Sequence, residues 1–488
     1  MHEYCTFVAK SQLNFKFALI SLAFNLATNA RISHIRGLLK PILCRRPDSN
    51  RHVLRHTPLK RACLPISPLR LSVSKVKYLY FRCMNRFIFI FTLCLGQLAI
   101  SSLTAQAPIQ WQGILTDTTH LKRTIGNAYK AFPVPAIGAG IFRSDTLLAV
   151  RLEGLHKWPN GNLINEQNYF HLGGNSMGIT SYIAGRLVQA GKISWNTQFF
   201  DLFPALKKRA NPNYPNFSLA DLLSHRAQVA ELAKPADFQS IPPFKGNALQ
   251  KRAKFALWIL AKTPLDSGIH YSNAGYALAT FMLEYVSGKT FKQLLDQYIV
   301  KELGLRCSTG WPNRISPAQP WGHWKTDPKS TFFTPVPPST SYQMPEVLAS
   351  AADICMPLWD YTLFLKHQLR GIKGKNADMQ KKTYEYIHFS RPTFAMGWLN
   401  RNDPSTRIST HDGTAGNFYC HVTLFPEIDL GVVVITNAEG KAATEAIAFV
   451  RESLLNKLFQ LDLPTTPKPT FPGEHPFFEV HEKYHPHH

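Results

Sequence analysis

The sequence predicts an α/β fold: an antiparallel sheet assembled from both ends of the chain, with a helical lobe between them. Three observations point there. Apolar, β-rich runs occur early, at 135–142 and 146–152, around Arg143-Ser144-Asp145. They return near the C-terminus, at 417–425 and 430–436. The stretch between, about 195–390, reads as helical and loop-rich, with proline runs such as Pro335-Val336-Pro337-Pro338.

The elements follow in order. Leu121, Ile125 and Tyr129 recur at four-residue spacing, which predicts a helix over 119–132. The two early β-rich runs then form a hairpin. From Asn175 to Val188 the apolar set Met177, Ile179, Ile183, Ala184, Leu187 and Val188 predicts a buried helix, stopped at Gly191. Ser218 announces another helix as its N-cap before Leu219, Leu222 and Leu223. A third runs from Ala274 to Val286 and stops at Gly288, and 291–299 follows with Leu294, Leu295 and Ile299 on one face. Residues 417–425 alternate in part, a turn falls at 426–429, and 430–436 is a continuous apolar strand. An amphipathic helix over 443–459 closes the domain.

The chain's 488 residues carry a formal charge of +24, unevenly spread. Residues 1–83 hold 15 Lys and Arg against Glu3 and Asp48, with no sustained period, and read as an unstructured extension of the gene. Met84-Asn85-Arg86, an apolar run over 87–99 and Ala105-Gln106-Ala107 have the form of a secretory signal peptide. The expected organisation is therefore an extension (1–83), a leader (84–107), a folded domain (108–462) and a Pro- and His-rich tail (463–488). The product is expected to be exported, periplasmic or secreted, with no stable membrane span once the leader is cut. No basic stripe with interleaved aromatics appears, so nucleic acid is not an expected partner. After the leader only Cys307, Cys355 and Cys420 remain, without a C-x-x-C pair, so neither a zinc site nor a disulfide framework is expected. One disulfide among the three stays open.

Three stretches occur in a telling order. They are Phe170-His171-Leu172-Gly173-Gly174-Asn175-Ser176-Met177, then Tyr271-Ser272-Asn273, then His411-Asp412-Gly413-Thr414 leading into 431–437. Leu222-Leu223-Ser224-His225 and Ser350-Ala351-Ala352-Asp353 are weaker companions. Together they resemble the serine β-lactamase and penicillin-binding-protein superfamily, nearest to the class C β-lactamase-related serine hydrolases, over about 110–460. The resemblance implies a β-lactamase-like three-layer α/β sandwich and a cleft with three walls. A Ser at the start of a buried helix attacks an acyl carbon, and a Lys one turn later helps take its proton. A Tyr-x-Asn shuttles protons and anchors substrate. A His-x-Gly at the start of an edge strand lines the opposite wall.

Two walls match and one does not. Tyr271 and Asn273 stand at the Tyr-x-Asn positions and His411 at the third, with Gly413 and Thr414 as binding candidates. The nucleophile position holds Gly174 and the lysine position Met177, so the dyad is absent. Replacing both, Gly174→Ser with Met177→Lys, is expected to rebuild it, with no backbone strain if Gly174 has an ordinary φ. Ser176, two residues on, is turned roughly 200° round the helix from the nucleophile position. Blander readings exist: Tyr271 as a core aromatic, Asn273 as the N-cap of the next helix, His411 as a surface turn residue. At His225 the family continues Thr-Ser-Gly, whereas here Arg226-Ala227-Gln228 follow, and His225 reads as structural. The expected function is a catalytically degenerate family member keeping a cleft for an acyl-amide, peptide or cell-wall-like ligand, with no cofactor. The alternatives are an active esterase- or peptidase-like hydrolase using Ser176 or another group, and a purely structural or interaction protein.

Overall fold

The computed structural model describes residues 118–325, 333–340, 344–402 and 407–459. The expected extension, leader and tail lie outside the described residues. Helix α1 (Thr118–Ala131) precedes the hairpin β1 (Ala136–Phe142) and β2 (Leu147–Gly154). Strand β3 (Tyr169–His171) runs through a 3-10 turn at Gly173–Asn175 into α2 (Ser176–Gln189). The lobe continues with α3 (Leu219–Leu223), α4 (Ala248–Leu260) and α5 (Asn273–Ser287). Four short strands follow: β4 (Ser308–Thr309), β5 (His323–Trp324), β6 (Thr334–Pro335) and β7 (Ile354–Pro357). Then come α6 (Leu358–Ile372) and α7 (Lys381–Phe389), with β8 (Thr393–Phe394) and β9 (Leu399–Arg401) behind them. Strands β10 (Ile408–Ala415), β11 (Phe418–Phe425) and β12 (Leu430–Thr436) lead to the closing helix α8 (Lys441–Phe459).

The main sheet has the order β2-β1-β12-β11-β10-β9-β8, antiparallel throughout. The early and late parts of the domain meet where β1 pairs with β12, with Ile137 opposite Thr436. The continuous apolar run of β12 follows from burial on both faces. Val432 and Val434 pack with Leu121 and Ile125 of α1 and Ala446, Ile447 and Val450 of α8. Val433 and Ile435 face the other way, into the core shared with Leu358, Tyr361 and Leu365 of α6. Alternation along a strand thus serves two layers at once, which makes a three-layer sandwich.

The helix starts are set locally. Ser218 caps α3 in a capping box: its Oγ accepts from the Asp221 N–H, and the Asp221 carboxylate accepts from the Ser218 N–H at 2.8 Å. Two expectations need correction. The N-cap of α5 is Ser272, whose Oγ accepts from the Gly275 N–H at 2.9 Å, and Asn273 is already helical. The lobe also holds a small three-stranded sheet, β3-β7-β4, which no sequence signal announced because its strands span only two to four residues. Cys307, Cys355 and Cys420 are all free thiols, and burial pushes Cys307 up to about 12. Among the described residues no helix is long and apolar enough to cross a membrane.

Candidate functional site

The site is built where the turn before α2 meets β10. Strand β3 delivers Leu172 to the turn, and Gly173 takes a left-handed φ of 53° that ordinary residues disfavour. The turn is held by His171, whose Nδ1 accepts from the Gly173 N–H at 3.1 Å while its Nε2–H donates to Asp353 at 3.0 Å. Asn175 adds a bond from its amide to the Cys420 carbonyl at 3.0 Å. β10 is paired on its outer side by β9 only over Ile408–Thr410. From His411 onward no strand among the described residues pairs on that side, and the turn packs closely against Gly413 and Thr414.

Gly174, Tyr271 and His411 converge. A Cβ on Gly174 would lie 2.5 Å from the Tyr271 hydroxyl, 2.9 Å from His411 Cε1 and 3.1 Å from the Asp412 carbonyl. The Tyr271 and His411 rings are 6.3 Å apart. Gly174 has no left-handed φ, so the backbone itself tolerates a side chain; the space does not. Gly413, a binding candidate, lies so close to the Leu172 carbonyl and Asn175 amide that a Cβ would overlap them. Thr414 beside it is half-buried. Tyr271 is 4% exposed, Asn273 3% and His411 1%, so the surviving walls are closed on each other in this structure.

Helices α2 and α5 run side by side from this point, since Gly174 meets Tyr271 at one end and Ser181 Oγ approaches Tyr276 Oη at 3.4 Å one turn or two later. Met177 lies between these contacts on α2 and Asn273 between them on α5. Met177 is fully buried and belongs to the hydrophobic core. The Asn273 amide donates to the Leu232 carbonyl at 2.8 Å, and its buried Oδ1 has no hydrogen-bond donor among the described residues. A thioether at 177 offers it none.

The chemistry available is correspondingly small. Burial pushes the Tyr271 phenol well above its ordinary value, so it stays protonated at neutral pH. Ser176 is fully buried and its Oγ accepts from the Ile354 N–H at 3.1 Å, so it is engaged with β7. His225 Nδ1 accepts from the Ser272 N–H at 3.0 Å, and its ring lies 4.7 Å from that of Tyr271, a supporting role. Asp412 accepts from the Tyr419 hydroxyl and from His421 Nδ1, both at 2.8 Å, on the opposite face of the sheet from His411. No group of side chains suited to a metal ion occurs among the described residues. Two elements of the site escaped sequence reasoning: the His171–Asp353 pair, of which only the faint Ser350–Asp353 match gave a sign, and Phe394, whose ring stands 5.8 Å from His411 and 6.1 Å from Tyr271.

A sheet of both chain ends between helical layers, with a helix-start turn set against an inner strand, is the architecture of β-lactamases and penicillin-binding proteins. A family model described as Beta-lactamase matches residues 134–455, and the chain belongs to that family. Among solved structures it resembles the octameric penicillin-binding protein homologue from Pyrococcus abyssi, at 17% identity and TM-score 0.56 over 71% of this chain and 79% of that one. It also resembles the class C β-lactamase from Rhodobacter sphaeroides, at 17% identity and TM-score 0.53 over 70% and 99%. In sequence it is 21% identical to penicillin-binding protein 4 of Amycolatopsis lactamdurans over 68% of this chain and 87% of that protein. It is 24% identical to an unguisins hydrolase of Aspergillus campestris over 62% of this chain, and spans 59% of that protein's length.

Proposed function

We propose that this chain is an exported, non-catalytic member of the β-lactamase family that recognises an acyl-amide or peptide ligand without acyl transfer. One observation carries the reading: a nucleophile's Cβ at Gly174 would be crowded by the Tyr271 hydroxyl, at 2.5 Å, and by His411 Cε1, at 2.9 Å. Met177 supplies no base, and removing such groups costs on the order of 10⁴–10⁶ in rate even where the rest of a site survives. The ligand class is supported by the retained Tyr271, Asn273 and His411, and by the names of relatives that refer to penicillin and unguisins. Export rests on the leader-like run at 84–107. The reading in which Ser176 acts as nucleophile loses support from its bond to Ile354. The burial of the walls favours a second reading, a scaffold with a vestigial site. Titration calorimetry with short peptides and their amides separates the two: saturable heat without product formation is expected, and no heat with any of them leaves the scaffold reading.

A further inference from the structure

Among the described residues six other than glycine have φ in the left-handed region. Asn417 and Asp429 sit in hairpin turns, where their side chains favour it. The other four, His225 (61°), Gln228 (57°), Leu232 (49°) and Thr393 (67°), border the buried site. The conformation is disfavoured for side chains such as those of Gln228 and Leu232, and for a β-branched Thr it is an outlier. The loop 225–232 packs against Tyr271 and Asn273, and Thr393 precedes Phe394, the ring set against both Tyr271 and His411.

The two strained pieces meet at the His225 and Phe394 rings, 4.4 Å apart, and are bonded to each other through the Arg226 side chain. The Arg226 guanidinium donates to the Ser224 carbonyl at 2.9 Å and, across the gap, to the Phe394 and Pro392 carbonyls, both at 2.7 Å. The loop is also clamped to 265–273. Leu265 N–H donates to the Gln228 carbonyl at 2.8 Å, His270 N–H to the His225 carbonyl at 2.9 Å, and Asn273 N–H to the Glu231 carbonyl at 2.8 Å. The other walls of the site offer no such weakness. The 173–175 turn is held by His171 and Asn175, and β10 is paired to β11 from Ser409 to Ala415.

We infer that loop 225–232 and the Thr393–Phe394 segment form a strained two-part lid over Tyr271 and His411, latched by Arg226, and that a ligand reaches the site by its release. Strain of this kind persists only while neighbouring contacts hold it, so loss of the latch opens these segments before the sheet unfolds. The ligand clause rests on the proposed function; the lid does not.

Native-state hydrogen exchange on the unliganded protein tests it. The amides of Leu265, His270 and Asn273, which donate to the loop, should exchange together and at least about 100-fold faster than those of Val433 and Val434 in β12. Arg226→Gln should speed the first set about tenfold or more and leave the second unchanged. Gln228→Gly should slow the first set and Gln228→Val speed it, each several-fold, because one relieves and the other deepens the left-handed strain. Exchange of both sets in step, in wild type and in Arg226→Gln, would overturn the lid, as would Gln228→Gly and Gln228→Val acting in the same direction. Because no ligand is present, failure of peptide binding leaves this result standing, and failure here leaves peptide binding to its own titration.

Discussion

At position 174 the decisive difference is one carbon atom. Gly174→Ala should cost about 1–3 kcal/mol, the range for forcing atoms into a filled interior, because its Cβ would displace the Tyr271 hydroxyl and press on the His411 ring. Tyr271→Phe removes the obstructing oxygen, so in the double variant the penalty of Gly174→Ala should fall by about 1 kcal/mol or more. Urea unfolding of the four proteins checks this, and strict additivity would show that the two groups do not touch. The pairing of Gly174 with Met177 was readable in sequence because both fall in register within Phe170–Met177. The closure was not readable, since it depends on how far a hydroxyl 97 residues away advances toward an empty Cβ position. The expectation that Gly174→Ser would be free of strain holds for φ and fails for space, so rebuilding the dyad with Met177→Lys must also move Tyr271.

Among elements, the contact between the turn at Gly173–Asn175 and β10 seals the site. Gly413→Ala would drive a Cβ into the Leu172 carbonyl and the Asn175 amide, which are backbone and cannot rotate away. Its cost should therefore equal or exceed that of Gly174→Ala, measured by the same unfolding, and a neutral outcome would mean that β10 does not rest on the turn. Four of the main sheet's seven strands, β1, β2, β11 and β12, were legible because their apolar runs are long, seven or eight residues. β3, β4 and β7 were not, because two to four residues carry no period and their pairing joins segments far apart in sequence. The His171–Asp353 bond spans 182 positions and was hidden for the same reason.

For the whole molecule, two buried histidines contribute to the response to acid. Burial lowers His323 to about 4, against the opposing help of its bond to the Asn437 carbonyl, and lowers His388 to about 3. Both stay neutral in the fold while the unfolded chain takes up protons below about 6.5. Their contribution is thus complete above about pH 6.5 and is lost as pH falls toward 4 and then 3. Each steepens the loss by at most about 1.4 kcal/mol per pH unit. Unfolding free energies at pH 7, 5.5 and 4.5 should show this slope, and His323→Gln should reduce it by one proton's worth; an unchanged slope would mean that His323 is protonated in the fold. The family and the layered sheet belong to a domain matched over 134–455, and the loss of acyl-transfer chemistry that we propose for it rests on two positions, Gly174 and Met177. That central claim is tested most directly by intact-mass spectrometry after incubation with a fluorophosphonate and, separately, a reactive β-lactam. The wild-type mass should remain unchanged with both; a stoichiometric adduct on the folded domain, at Ser176 or any other residue, would contradict it.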